Sequence, residues 1–312
     1  MSLNISVVIP LWNGEKYIQR SVESVLKQTY PHFEIVVVND GSTDGGPDLV
    51  KGFKDERVRL IDQINAGVSA ARNKGIMESR YDYIAFLDAD DEWKPEHLDT
   101  LAALIDKYPS CGLFSTSYYL QKENQSPTLP QISYSSFTGE DGILTDYYGM
   151  ASGINGPIHV DTMAVRRSVI EKVGGFPLNM KSGEDIITIA KLYAICDFAY
   201  SRKPTAVYYL ISTGKNERPI LKDNPLDWEF DKLIQMAAHR QNVKAFVSFW
   251  HKQRMVNAIY ARKYDIAWLQ FCWAVKVHPF QTKVYSSLCL AFFSRMTGID
   301  IYTINKFLRK IR

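Results

Sequence analysis

The sequence contains few cysteines, and none has the spacing of a zinc site or a disulfide framework. Four cysteines occur in 312 residues, and no two of them form a CxxC pair, which favours a protein of a reducing compartment. The zinc-peptidase motif HExxH is missing, and residues 67–71 lack the second glycine of a hydrolase nucleophile elbow. These absences argue against zinc peptidases and serine hydrolases.

Long apolar runs are also missing. The longest charge-free apolar stretches near the C-terminus, residues 266–275 and 284–294, are well short of the roughly 20 residues that cross a bilayer. Residues 5–10 are too short for the apolar core of a signal peptide, and no small-residue cleavage site follows them. We therefore expect a cytoplasmic protein, and its 46% apolar and 23% charged residues are typical of a globular fold.

Charge is unevenly distributed along the chain. The net charge is +3, yet residues 227–312 hold 14 Lys or Arg against 5 Asp or Glu, while the other residues hold 23 against 29. A basic segment suggests an anionic partner, either nucleic acid or an anionic membrane surface, and the simple alternative is a solvated helical face. Basic residues flank aromatic and aliphatic ones there, as in proteins that lie on an anionic leaflet: Lys276, Lys283, Arg295, Lys306, Arg309, Lys310 and Arg312.

The first hundred residues alternate the patterns of buried strands and amphipathic helices. The strands are predicted at residues 5–10, 33–39, 58–61 and 83–87, and the helices near 18–26, 44–54, 66–79 and 95–108. This order predicts an open, doubly wound α/β sheet with parallel strands, which binds ligands at the carboxyl ends of its strands. No GxGxxG motif follows the first strand, which argues against a dehydrogenase.

The remaining chain divides into three stretches. Residues 121–158 show no sustained period, and we interpret them as a long loop. Residues 160–212 return to mixed strands and helices, with a helix predicted from Glu184 to Cys196. From Asp227 helical patterns dominate, and apolar residues at helical spacing indicate either core packing or lipid contact: Trp268, Phe271, Cys272 and Val275.

Acidic residues follow two of the predicted strands. Asp88 and Asp90 come directly after the fourth strand, and Asp40 follows the second. Residues i and i+2 at a strand end share a face, so these carboxylates can converge on one hard cation. The alternative is that each belongs to a solvated turn or a helix cap. Arg72 is either a guanidinium near a phosphate or a surface residue of a helix capped by Ser69.

Six segments of the chain resemble, in the same order, the motifs of family 2 glycosyltransferases with the GT-A fold. The resemblance covers roughly residues 4–212. It implies a Rossmann-like, open, mostly parallel α/β sheet flanked by helices, followed by a helical C-terminal region. The six segments are residues 7–13, 38–44, 67–73, 86–91, 174–176 and 183–185.

The resemblance also implies a donor-binding site. Pro10 and Asn13 would border the nucleotide, and Asp40 would accept hydrogen bonds from its base, which favours a UDP- or dTDP-sugar. Arg72 would line the nucleotide-sugar pocket. The domain boundaries expected from it are 1–212 for the glycosyltransferase domain, with a nucleotide-sugar half near 1–110 and an acceptor half near 111–212, and 213–312 for a basic helical region.

The chemistry follows from the same matches. Asp88 would contact the ribose or the metal shell, Asp90 would ligate Mg²⁺ or Mn²⁺, and Asp185 would be the catalytic base. No QxxRW motif of processive synthases follows. We therefore expect transfer of one sugar, with inversion, to a glycan or lipid-linked acceptor, in cell-surface polysaccharide synthesis.

Partners and alternatives complete the expectation. A peripheral position on the inner face of a membrane would suit a lipid-linked acceptor, and no nucleic acid partner is expected. The other hypotheses are a nucleotidyltransferase on a similar sheet and a non-catalytic module that binds nucleotide sugars. The first would show a Gly-rich loop with Arg and Lys after the first strand, where this chain has residues 11–16, Leu-Trp-Asn-Gly-Glu-Lys.

Overall fold

The computed structural model describes residues 3–132, 137–153, 155–180, 182–210 and 225–298. The chain forms two compact units, Met1–Glu217 and Arg218–Arg312. In the described part of the chain, no helix combines the length and the apolar character that crossing a bilayer requires.

The first unit is built on one mixed sheet. Its strands are β1 (Ile5–Leu11), β2 (Phe33–Asp40), β3 (Val58–Gln63), β4 (Tyr83–Phe86), β5 (Glu92–Trp93), β6 (Leu113–Lys122), β7 (Asp141–Leu144), β8 (Met163–Arg166) and β9 (Phe198–Leu210). They lie in the order β3-β2-β1-β4-β8-β6-β9-β5, and β7 pairs with β9. The four strands predicted first are parallel, which confirms the doubly wound half. Strand β8 runs antiparallel to both neighbours.

Helices cover both faces of this sheet. They are α1 (Ile18–Leu26), α2 (Gly46–Gly52), α3 (Val68–Glu78), α4 (His97–Lys107), α5 (Tyr147–Met150), α6 (Arg167–Lys172) and α7 (Glu184–Ile195), and a 3₁₀ turn spans Val160–Thr162. Every residue of β1 is buried, as a central strand between two helical layers requires. Helix α3 approaches this strand so closely that a Cβ on Gly75 would lie 2.2 Å from Val8 Cγ1. Only glycine fits there without movement.

The sheet has a topological switch point between β1 and β4. The chain moves from β1 outward through β2 to β3 and then returns to the other side of β1 with β4. The strand order reverses at this point, and sheets of this kind bind ligands in the crevice outside the carboxyl ends of their strands. This geometry brings residues 10–13 and 88–90 together.

Two local predictions were wrong. Residues 121–158 are not one long loop, because they include the end of β6, all of β7 and helix α5; β7 and α5 have four residues each, too few for a period to emerge. Helix α3 is not capped by Ser69. Its N-cap residue is Gly67, with a φ of 90°, and Ser69 is buried inside the first turn.

The second unit is helical in its described part. Its helices are α8 (Pro225–Met236), α9 (Val243–Tyr260), α10 (Tyr264–Val277) and α11 (Thr282–Thr297). Asp227, Arg254 and Gln270 join three of these helices, because both the guanidinium and the amide donate to the buried carboxylate. Core packing does not account for Trp268 and Cys272, since both side chains are exposed.

Candidate functional site

A cavity of about 1010 Å³ opens at the switch point of the first unit. It is formed by the loops after β1, β2, β3 and β4 and by the segment before α7. Five of the residues singled out in the sequence line it, namely Pro10, Asn13, Asp40, Asp88 and Asp90. The rest of the lining is Leu11, Trp12, Gly14, Tyr17, Asn65, Ala66, Gly67, Val68, Ser69, Ala71, Ala89, Asn179 and Met180. Arg72 and Asp185 are not among these residues.

Asn13 ties the loop after β1 to the loop after β2. Its side-chain oxygen accepts a hydrogen bond from the Thr43 backbone N–H at 2.8 Å, and its own N–H donates to the Ser42 hydroxyl at 3.1 Å. The residue has a φ of 48°, a left-handed conformation that asparagine tolerates better than most residues. Two hydrogen bonds thus fix one wall of the cavity.

Asp40 shapes the opposite wall. Its buried carboxylate accepts hydrogen bonds from the backbone N–H groups of Ala66 and Gly67, each at 2.8 Å, and from Gln63 Nε2 at 2.7 Å. These partners lie at the end of β3 and in the connection from β3 to α3, whereas Asp40 ends β2. A carboxylate offers about four acceptor positions, so one position remains for a further donor.

Arg72 joins the end of β4 to the start of α7. Its guanidinium donates to Asp88 Oδ1 at 2.7 Å and to Glu184 Oε1 at 3.2 Å, and it lies over the Phe176 ring. The side chain is 3% exposed, so the alternative of a surface arginine is wrong. Burial alone would lower the pKa of Arg72, but the two carboxylates raise it. Arg72 is therefore a fixed positive charge beside the cavity.

The two acids that follow β4 differ in their partners. Burial raises the pKa of Asp88 to about 6, because it outweighs the lowering effect of Arg72. Burial and then the charge of Asp161 raise the pKa of Asp90, whose backbone carbonyl accepts a hydrogen bond from Arg20. Both residues line the cavity. A bound cation would reduce the electrostatic repulsion between these carboxylates.

Asp161 is a central residue that no sequence pattern indicated. Its Oδ1 accepts a hydrogen bond from the Asp88 backbone N–H at 2.6 Å, and its carbonyl accepts one from Trp93 Nε1 at 2.6 Å. Its Oδ2 lies 2.6 Å from His159 Nδ1. Burial alone would lower the pKa of His159, but Asp161 raises it to about 8. The Asp161–His159 pair thus fixes the backbone at Asp88, two residues before Asp90.

Two sets of side chains could hold a metal ion. Asp88 and Asp90 present carboxylate oxygens, the ligands that Mg²⁺ and Mn²⁺ prefer, to the cavity. Asp91, His159 and Asp161 form a group whose ligand atoms lie within 4.8 Å of one another. In that group His159 and Asp161 already pair with each other, and the Asp91 carboxyl, whose pKa burial and the charge of Asp161 raise, accepts a hydrogen bond from the Tyr209 backbone N–H at 2.7 Å.

Helix α7 presents two adjacent acids with different surroundings. The helix begins after Gly183, which has a φ of 86°. Glu184 pairs with Arg72, and burial together with the charge of Asp185 raises its pKa. Asp185 lies close enough to Arg72 and His159 for its charge to raise the pKa of both. No described residue hydrogen-bonds to its carboxylate.

The doubly wound half-sheet, its crevice and the acids at the end of β4 define the class of GT-A glycosyltransferases. The chain belongs to glycosyl transferase family 2, whose family model matches residues 6–174. The resemblance read from the six motifs is thereby confirmed, and so is the α/β fold class with a helical C-terminal region.

Relatives with named functions agree with this assignment. The chain is 37% identical over 127 residues to the putative teichuronic acid biosynthesis glycosyltransferase TuaG of Bacillus subtilis, which covers 39% of this chain and 50% of TuaG. It is 39% identical over 123 residues to glycosyltransferase GlyA of Streptococcus pneumoniae, or 39% of this chain and 18% of GlyA. The chain thus matches half or less of the length of these relatives.

The fold is shared with solved structures over nearly the whole chain. Staphylococcus aureus TarS 1–349 in complex with UDP-GlcNAc has a TM-score of 0.67 and 19% identity, covering 95% of this chain and 92% of that one. The mannosyltransferase PcManGT of Pyrobaculum calidifontis in complex with GDP-Man and Mn²⁺ has a TM-score of 0.53 and 19% identity, covering 96% and 89%. At such identity the likeness establishes the fold.

Proposed function

We propose that the protein transfers one sugar from a nucleoside diphosphate sugar to a hydroxyl of a glycan or lipid-linked acceptor, with inversion, in cell-surface polysaccharide synthesis. The observation that most supports this proposal is the cavity at the switch point, which is lined by Asp40, Asp88 and Asp90. Doubly wound sheets bind nucleotides at this place. Family membership and the nucleotide-sugar complexes of TarS and PcManGT support the proposal.

The base of the nucleotide contacts Asp40 in this proposal. Three donors already occupy its carboxylate, which leaves about one acceptor position. Uracil and thymine offer one ring N–H, whereas guanine offers adjacent ring and amino N–H groups. A UDP- or dTDP-sugar therefore fits the remaining position better than a GDP-sugar. Pro10 and Asn13 border the nucleotide on the β1 side of the cavity.

Asp90, with Asp88, holds Mg²⁺ or Mn²⁺ in the proposed site. Such a cation neutralises the negative charge that develops on the departing diphosphate. The donor set fits this ion, since two carboxylates line the same cavity and carboxylate oxygens are the ligands that Mg²⁺ and Mn²⁺ prefer. Arg72 keeps Asp88 in place by its 2.7 Å hydrogen bond, and we assign it a positioning role.

Asp185 is the proposed general base. Glu184 is engaged by Arg72, whereas Asp185 makes no hydrogen bond within the described residues, so its lone pairs remain available. The acceptor oxygen forms a bond to the anomeric carbon, the bond from that carbon to the diphosphate oxygen breaks, and the hydroxyl proton moves to the Asp185 carboxylate. A single displacement from the opposite face inverts the anomeric centre and needs no enzyme nucleophile.

A panel of nucleotide sugars tests this function. The protein is heated with UDP-, dTDP-, GDP- and CDP-sugars in Mn²⁺ to measure its melting temperature, and release of the nucleoside diphosphate is followed separately at a lower temperature. A donor at 100 times its Kd stabilises the protein by about 2.7 kcal/mol, and we expect this of a UDP- or dTDP-sugar, with slow hydrolysis. Stabilisation without any hydrolysis would favour the non-catalytic binding module, and no stabilisation by any donor would contradict the proposal.

A further inference from the structure

Helix α1 carries two buried serines on one side. Ser21 and Ser24 lie three positions apart on this helix, and both are buried. Ser21 Oγ donates a hydrogen bond to the Asp88 carbonyl at 3.3 Å. Ser24 Oγ accepts a hydrogen bond from the Trp93 backbone N–H at 3.2 Å. Helix α1 therefore fixes the backbone of residues 88–93, the segment that carries the acids at the end of β4.

Arg20 of the same helix reaches this segment at Asp90. Its guanidinium donates a hydrogen bond to the Asp90 backbone carbonyl. Asp90 lies in a turn that is closed by a hydrogen bond from the Asp91 backbone N–H to the Asp88 carbonyl, at 3.1 Å. Arg20 therefore holds the backbone of a residue whose carboxylate is a proposed metal ligand.

Aromatic rings align the Arg20 side chain. Its guanidinium lies over the Tyr209 ring, 3.8 Å from the ring centroid, and 5.9 Å from the centroid of Tyr17. The Tyr209 backbone N–H also donates to the Asp91 carboxyl at 2.7 Å, which ties this strand to the same turn. A planar guanidinium lies flat on a ring in a way that the ammonium group of lysine does not reproduce. Tyr209 thus directs Arg20 toward the turn.

The ion pair between Arg20 and Glu92 does not explain this arrangement. Arg20 Nε lies 3.8 Å from Glu92 Oε2, and the two side chains are 34% and 27% exposed. A partly exposed pair at such a distance contributes little to stability. A hydrogen bond with a charged donor, such as the one to the Asp90 carbonyl, is stronger than a bond between neutral groups. That carbonyl is therefore the contact through which Arg20 acts on the site.

We propose that Arg20 is a positioning residue of the metal site: by holding the Asp90 carbonyl from α1, it sets the orientation of the carboxylates that bind Mg²⁺ or Mn²⁺. Asp161 holds the other end of the turn through the Asp88 N–H. Arg20 is not among the residues that line the cavity, so it acts on the ion through Asp90. Groups that orient metal ligands contribute about 10- to 100-fold to metal affinity. The inference rests on the proposed function, because it concerns the metal of that site.

Titration of the protein with Mn²⁺ at a fixed concentration of UDP tests this role. In Arg20→Gln, we expect the Mn²⁺ concentration that half-saturates UDP binding to rise about tenfold or more, while UDP affinity in EDTA stays that of the wild type. Arg57→Gln is the matched control. Arg57 is 36% exposed, pairs with Asp55 and lies over the Phe33 ring, and it precedes β3 at the amino end of the strand. A merely structural contribution of Arg20 would lower the melting temperature as in Arg57→Gln and leave the Mn²⁺ requirement unchanged.

Two further variants separate the carbonyl contact from charge. Glu92→Gln removes the acidic partner of Arg20 and leaves the Asp90 carbonyl in place, so we expect a Mn²⁺ requirement close to that of the wild type. Arg20→Lys keeps the charge but lacks the flat guanidinium that lies over Tyr209, so it should also need more Mn²⁺. If Arg20→Gln does not fold, Arg20→Lys carries the same test.

The outcomes distinguish this inference from the proposed function. A wild type that responds to Mn²⁺, with Arg20→Gln and Arg20→Lys responding at the same concentration, would overturn the role of Arg20 alone. Equal losses in Glu92→Gln and Arg20→Gln would also overturn it, because the ion pair would then hold the site. A wild type whose UDP binding does not respond to Mn²⁺ would overturn both the role of Arg20 and the proposed metal site.

Discussion

The first unit, Met1–Glu217, gathers acids around a cavity at its strand ends, whereas the described part of the second exposes several aromatic side chains. The difference follows from architecture. Strands between two helical layers have no free face, so chemistry concentrates at their ends. A helix packed along one stripe keeps an outer stripe whose composition the fold does not restrict. The proposed catalysis therefore lies at the strand ends of the first unit.

The largest expected effect concerns turnover in the first unit. Asp185→Asn keeps the size of the side chain but removes its ability to accept a proton, so we expect donor hydrolysis to fall by roughly 10²- to 10⁴-fold. Donor affinity and melting temperature should stay close to those of the wild type. Asp48→Asn, at a carboxylate that is 83% exposed, is the control. Normal turnover in Asp185→Asn would move the assignment of the base to Glu184.

Two buried carboxylates sharpen the comparison of the units. In the first unit, Asp161→Ala removes the partner of His159 and of the Asp88 N–H. In the second unit, Asp227→Ala removes the partner of Arg254. Loss of one partner of a buried ion pair costs about 3–5 kcal/mol. Hydrogen exchange should show faster opening of residues 3–210 in one variant and of 225–298 in the other.

Asp141→Ala is the control for both variants. It breaks the exposed ion pair with Lys107, which should cost less than about 1 kcal/mol. If either buried variant accelerated exchange equally in both units, the two would unfold as a single body and the comparison would lose its basis.

Packing in the first unit predicts a smaller effect. Gly75→Ala places a methyl group against Val8 and should lower the free energy of unfolding by about 1–3 kcal/mol. Gly52→Ala is the matched control, since no heavy atom lies within 4 Å of its added Cβ, and it should be neutral or stabilising. Chemical denaturation measures both. Equal stability of the two variants would mean that α3 can move away from β1 at little cost.

The smallest effect is a pH dependence. His159 has a pKa of about 8 instead of 6.5 because of Asp161, so this pair stabilises the fold fully below pH 6.5 and the stabilisation is lost as the pH rises through 8. The loss should be about 2 kcal/mol. Denaturation of the wild type and of His159→Gln between these values should show the fall in the former and a flatter profile in the latter; parallel profiles would contradict the coupling.

The sequence was informative where contacts are local or repeated. The first four strands and the acids after β2 and β4 follow from runs of apolar residues and from their ends, and burial on both faces makes such runs distinct. Asp161 carried no such signal, because its partner Asp88 lies 73 residues away. The ion pair between Arg72 and Glu184 was not predicted for the same reason, because the two residues are 112 positions apart.

Short elements and caps were the other source of error. Strand β7 has four residues and exists because β9 offers it an edge. Serine is a common N-cap residue, so Ser69 was predicted to cap the helix. Gly67, with a φ of 90°, is the N-cap instead, and the helix begins at Val68. Tertiary pairing decided the first case and backbone conformation the second, and neither is visible in a single local pattern.

Binding of UDP to the wild type and to Asp90→Ala, titrated by calorimetry in Mn²⁺ and in EDTA, tests most directly that the crevice at the switch point is a metal-dependent nucleotide site. We predict that Mn²⁺ strengthens binding to the wild type by roughly tenfold or more and that Asp90→Ala binds with the same weak affinity in both conditions. Equal affinity of the wild type with Mn²⁺ and with EDTA would contradict the account.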